Sequence, residues 1–211
     1  MKILPTLSSL AIAGWLILMT SCAEVSPPPA ETLTSTKGAL ALDTWWSHLE
    51  SLCGKAYGGS LVSEDEVDAR MVDLPMTIHV RRCAEQRIEV PVYIGDDRSR
   101  TWVLTRTQGG LKLQHDHRHE DGTEETVNLY GGLASSHGTE VAQFFPADGY
   151  SQKLFKENNL APSVDNVWSM EIVSGKRFSY HLRRPNRHFQ IDFDLTQTVD
   201  PPPAPWGAED S

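Results

Sequence analysis

From Lys55 onward the apolar residues of this chain recur at every second position, and that period dictates a β fold. A strand turns successive side chains to opposite faces, so alternation marks one buried face and one wet one. Ile88, Val90, Val92 and Ile94 make one such face, and Phe189, Ile191, Phe193 and Leu195 make another. Candidate strands run 56–63, 76–83, 86–94, 101–107, 110–119, 124–130, 139–145, 166–173, 177–183 and 187–196. Turn-forming clusters separate many of them, among them Gly95-Asp96-Asp97, Gln108-Gly109-Gly110, Glu120-Asp121-Gly122-Thr123, Ser174-Gly175-Lys176 and Pro185-Asn186. About ten sequential strands joined by short turns predict a mainly β fold, an antiparallel up-and-down β-barrel that curls to hide its edges. A two-sheet β-sandwich is the rival arrangement.

Ahead of the strands the period is that of a helix. Leu42, Trp45, Trp46, Leu49 and Leu52 fall at helical spacing within 40–53, with Asp43 as a candidate N-cap and Gly54 as the stop. This one short N-terminal helix would cap an open end of the barrel. A second helical segment is expected over 150–159.

The start of the chain has a different character. Met1-Lys2 is followed by an apolar run from Ile3 to Met19, then small residues leading to Cys22. A short apolar core ending in small residues predicts a secretory signal over 1–21, since it is too short for a membrane span. Residues 22–38, rich in Pro, Ser and Thr, are expected to be a flexible tether. The β-barrel domain then occupies 39–199, and the Pro-rich segment 200–211 is an extended tail, since proline cannot donate to a ladder. Trp206 in that tail is expected to dock on the domain.

Of the three cysteines, Cys53 and Cys83 remain if Cys22 is modified. An even pair in an exported chain is most simply a disulfide. Removal of a 21-residue leader, whose single charged residue is Lys2, would leave 190 residues and take the formal charge from −9 to −10. No basic run survives, so the balance argues against nucleic acid as a partner and against electrostatic attraction to an anionic lipid surface.

The sharpest chemical feature is Leu111 to Gly122, LKLQHDHRHEDG. Alternation puts His115, His117 and His119 on the face of Leu111 and Leu113. Two imidazoles two residues apart on one strand face stand about 7 Å apart and can converge on a divalent transition metal, with Glu124, His119 or His79 completing the set. The same histidines could instead hydrogen-bond a small ligand, or satisfy one another and their neighbours structurally. Trp102 shares parity with Leu104 and Arg106, so both Trp102 and Arg106 are candidates to face a ligand; an inward arginine needs a carboxylate or an anion. No nucleophile elbow, P-loop or dinucleotide fingerprint is present, and Glu64-Asp65-Glu66 lacks the spacing of a calcium loop. The balance leans away from an enzyme.

Four resemblances add expectations. The stretch Met19-Thr20-Ser21-Cys22 resembles the lipobox of bacterial lipoproteins, which implies lipidation of Cys22, attachment to a membrane through that lipid and, with Ala23 following, outer-membrane sorting toward the periplasm. A Trp-bearing helix followed by Gly54-Lys55-Ala56-Tyr57-Gly58-Gly59 resembles the start of calycin barrels, the lipocalin and fatty-acid-binding group, which implies a small-molecule ligand; the G-x-W signature of that group is absent. Stretches such as 97–102 (DRSRTW), 115–122 (HDHRHEDG) and 202–207 (PPAPWG) resemble an uncharacterised group of exported bacterial proteins. The spacing of Gly109, His115, His117, Glu124 and Gly131 also resembles the first cupin motif, with a longer gap before the glutamate. That likeness implies a metal-dependent enzyme built on His115 and His117. The leading expectation is an envelope-tethered barrel that binds a small ligand or serves a structural role.

Overall fold

A computed structural model describes Met1 and residues 30–134, 136 and 138–208, so the expected signal and Cys22 lie outside the described residues. The strands are β1 (Ala56–Leu61), β2 (Met76–His79), β3 (Arg82–Ala84), β4 (Arg87–Ile94), β5 (Asp97–Thr107), β6 (Gly110–His117), β7 (Tyr130–Leu133), β8 (Ala142–Pro146), β9 (Val167–Val173), β10 (Arg177–Arg184) and β11 (Arg187–Asp194). All pairings are antiparallel, in the order β7-β6-β5-β4-β2-β1-β11-β10-β9-β8, with β3 a short spur on β4. The first strand pairs with the last, Gly59 opposite Phe193. The result is a nearly closed ten-strand barrel with α1 (Ala30–Glu50) and α2 (Gly149–Glu157) beside it. Among the described residues no helix is long and apolar enough to cross a membrane.

The unzipped line of the barrel falls between β7 and β8, in mid-chain. Pro146 has no N–H to give, and β7 is only four residues long. The two walls are joined instead by close approach and by a side chain. A Cβ on Gly132 would lie 1.9 Å from the Pro146 carbonyl oxygen, so glycine is required there. Asp148 N–H donates to the Gly131 carbonyl at 3.0 Å, and Ser151, wholly buried on α2, accepts from Gly131 N–H and donates to its carbonyl.

A barrel of this width leaves more room than wall side chains can fill. One half is filled by the end of α1 and the turn after it, where Trp45, Trp46, Leu49 and Leu52 are buried in one cluster with Ile88, Leu104, Leu111, Ile172 and Phe178. Arg106 ion-pairs with Asp43 and stands 5.6 Å over the Trp46 ring, locking the helix to the wall. Two expectations are corrected here. Asp43 is not the N-cap, because α1 begins at Ala30, directly after the last of Pro27-Pro28-Pro29, and part of the expected tether is helical. Arg106 faces inward as its parity requires, but at the plugged end, where helix and carboxylate occupy it.

Most strand boundaries lie within a few residues of those expected. The run 76–83 breaks in two because Val80 N–H bonds to Lys55 and Arg81 N–H to Glu89. The run 124–130 is not a strand. The Asn128 side-chain oxygen takes the His117 N–H at 2.7 Å, Leu129 turns to φ +54°, and pairing resumes only at Tyr130. The Pro-rich tail lies along the outer wall, Trp206 with it. Tyr93 donates to Pro203 O, Arg98 to Ala204 O, and Trp206 N–H to Arg98 O.

The expected disulfide is present: Cys53, just after α1, is bonded to Cys83 on β3, with a sequence separation of 30 residues. Closing such a loop removes disorder from the unfolded chain and is worth about 3 kcal/mol. A Cys53→Ser/Cys83→Ser variant should therefore unfold at lower urea with stability reduced by about that amount, measured as a shift of the equilibrium midpoint.

Candidate functional site

The half of the barrel away from α1 holds a cavity of about 320 Å³. Its wall is aromatic: Trp102 from β5, Tyr130 from β7, Phe155 from α2, Trp168 from β9, Tyr180 from β10 and Phe189 from β11. Each of the strand residues continues an inward alternation, as Phe178, Tyr180 and Leu182 do on β10. Trp102 stacks on Tyr180 at 4.3 Å between ring centroids, and Trp168 lies 5.7 Å from Tyr130. Below this layer Leu104, Leu111, Leu113 and Phe193 are wholly buried and close the floor.

His115 and His117 reach this cavity, as the pleat parity of β6 predicts. His115 is almost entirely buried, and both its ring nitrogens are used. Nδ1 lies 3.1 Å from the Tyr130 carbonyl, which can only accept, so Nδ1 carries the proton. Nε2 must then accept from the Tyr180 hydroxyl at 2.8 Å. His117 Nε2 sits 2.9 Å from the Tyr130 hydroxyl, and its Nδ1 lies 3.8 Å from a Glu125 carboxylate oxygen. A carboxylate beside Nδ1 favours the proton there, which leaves Nε2 to accept from Tyr130.

Burial decides the charge of all four groups. Loss of hydration pushes His115 down to about 3, helped by its proximity to His117. It pushes His117 down to about 4, helped by the Arg100 guanidinium. The same desolvation raises Tyr130 to about 12 and Tyr180 well above the ordinary phenol value. At neutral pH the site is two neutral imidazoles and two neutral phenols.

Two charged clusters border it. Arg100, directly opposite His117 in the β5–β6 ladder, lines the cavity and pairs with Asp97. At the mouth Arg187 grips Asp68 with two nitrogens, at 2.5 and 2.8 Å, and Asp65 with one at 2.7 Å. That clamp holds the 3-10 segment Glu66–Met71 over the opening. Hydrogen bonding to Arg187 keeps the Asp65 carboxyl below its usual range, so this stretch is more than a solvated acidic loop.

The remaining expected site residues fall elsewhere. Trp102 lines the cavity, but His119 is exposed in the turn beyond β6. Arg106 is at the plugged end. Glu124 is on the outer face, 3.2 Å from Arg118, whose parity is opposite to that of the histidines. The metal set His115, His117 and Glu124 is thus not assembled, and His115 has no free nitrogen to give. Among the described residues no group of three or more His, Cys, Asp or Glu could hold a metal ion. Tyr130, Tyr180, Trp168, Arg100 and Arg187 were not singled out as site residues from the sequence. Inward parity marks Arg100 with Trp102, Tyr180 with Phe178, and Trp168 with Met170; the role of Tyr130 follows only from the fold. No family model matches the chain, and no curated protein or solved structure matches it either.

The two histidines titrate near 6.5 when hydrated and near 3 and 4 in the fold. Below pH 6.5 the unfolded chain therefore takes up protons that the native site refuses, and stability falls until the folded values are passed. Thermal melts should drop steadily between pH 6.5 and 4, by an amount equivalent to several kcal/mol, and His115→Gln should flatten that slope. An equal slope in the variant would assign the acid sensitivity to other groups.

Proposed function

We propose that this chain is a binding barrel for a small, largely apolar ligand with aromatic character, and that the ligand occupies the half of the barrel that α1 leaves empty. The observation that carries this reading is the cavity itself. Packed interiors leave few voids larger than a water molecule, whereas this one measures about 320 Å³, the size of ordinary small-molecule sites. Its wall of tryptophan, tyrosine and phenylalanine offers flat faces for stacking, and the neutral His–Tyr pairs supply a few convergent polar atoms. The Arg187 clamp places a stabilised segment across the mouth. The expected likeness to calycin barrels belongs to this same reading. Among the described residues no group of three or more His, Cys, Asp or Glu is placed to serve a metal-dependent activity.

The test uses anilinonaphthalene sulfonate, which fluoresces in apolar sites. It should bind with one-to-one stoichiometry and quench tryptophan emission, since Trp102 and Trp168 face the cavity. Leu182→Trp should fill the cavity and abolish binding while leaving the far-ultraviolet dichroism unchanged. A filled variant that binds as well as the native protein would defeat the reading.

We propose further that the protein belongs to the cell envelope, anchored by lipid at Cys22 and facing the periplasm. The Cys53–Cys83 disulfide supports an oxidising compartment, and the small residues before Cys22 support acylation there. Expression in a bacterial host with radiolabelled palmitate should label the native chain and not Cys22→Ala, and the variant should move from the membrane to the soluble fraction.

A further inference from the structure

The hydrogen-bond directions around the two histidines leave spare acceptor capacity on two tyrosine oxygens that line the cavity. The Tyr130 carbonyl fixes the proton of His115 on Nδ1, so Tyr180 must give its own proton to Nε2. At His117 the Glu125 carboxylate, 3.8 Å from Nδ1, favours the proton there, and Tyr130 then donates to Nε2. A phenol oxygen that has spent its only proton can still accept through its lone pairs. Among the described residues no group donates to either oxygen, although both residues line the cavity, Tyr180 buried and Tyr130 partly buried. Each oxygen already has one hydrogen bond, to an imidazole, and keeps lone pairs with which to accept a second from a bound donor.

We infer that the barrel selects ligands that present a hydroxyl or N–H donor to the paired phenol oxygens of Tyr130 and Tyr180. The ligand class is an aromatic alcohol, phenol or N–H heterocycle, and not an acceptor-only molecule. Imidazole neighbours convert two tyrosines, which would ordinarily donate to a ligand, into acceptors. Trp102 and Trp168 supply the stacking faces, and Arg100 stays engaged with Asp97 at the rim. The inference rests on the cavity-binding reading above.

The test compares naphthol with its methyl ether, which keeps the ring and removes the donor, by isothermal titration of the purified protein. Naphthol is expected to bind at least about tenfold more tightly, because a site built around a hydrogen bond rejects the analogue that lacks it. In Tyr130→Phe/Tyr180→Phe the ratio should fall toward one, with binding of the ether retained as proof that the variant is folded. Equal affinity of the two probes for the native protein would overturn the inference while leaving the cavity reading intact. A preference for naphthoate over naphthol that is lost in Arg100→Gln would overturn it in favour of an anion site. Failure of every probe to bind would count against the cavity reading itself.

Discussion

Everything in this molecule depends on how a ten-strand barrel is filled. A wall of that circumference encloses more volume than its own inward side chains occupy. The chain solves this at one end only, by inserting the tryptophan-bearing end of α1 and fastening it with the Arg106–Asp43 pair and the Cys53–Cys83 bond. At the other end α2 contributes Phe155 to the wall, and the aromatic layer of Trp102, Trp168 and Tyr180 stops the packing short. The cavity is the unfilled remainder, and its position follows from where the helix lies.

Within that remainder, polarity is arranged by exclusion of charge. The imidazoles are neutral because burial strips away their hydration, and being neutral they can accept hydrogen bonds from phenols. Two of the arginines that line the cavity are paired, Arg100 with Asp97 and Arg187 with Asp65 and Asp68, and the third, Arg70, is exposed. An acidic chain thereby keeps a nearly uncharged interior, and its carboxylates serve the rim and the outer face.

The fold was largely legible in the sequence. Alternation located nine of the ten strands of the wall to within a few residues, and the parity of Leu111 and Leu113 correctly turned His115 and His117 inward. Parity failed where the strand failed: His119 lies beyond the last ladder pair, so nothing holds it to the inner face. Arg106 shows a second limit. Its side was read correctly, but alternation does not say at which end of a barrel a residue lies, and that end belongs to α1. Tyr130 was hidden for a third reason. It sits in the short Gly-Gly strand β7, whose pairing depends on Asn128 and Ser151, contacts that no local pattern announces.

The unzipped line between β7 and β8 has a mechanical meaning. Sheets come apart first where the fewest hydrogen bonds hold them, and here that place is a structural hem stitched by Ser151 and two glycines. Tyr130 belongs to that hem, and its carbonyl and hydroxyl serve the two histidines in turn. Any loosening of the hem therefore slackens the polar lining at the same moment. Because β1 and β11 are laced together, the first and last strands lie away from that line.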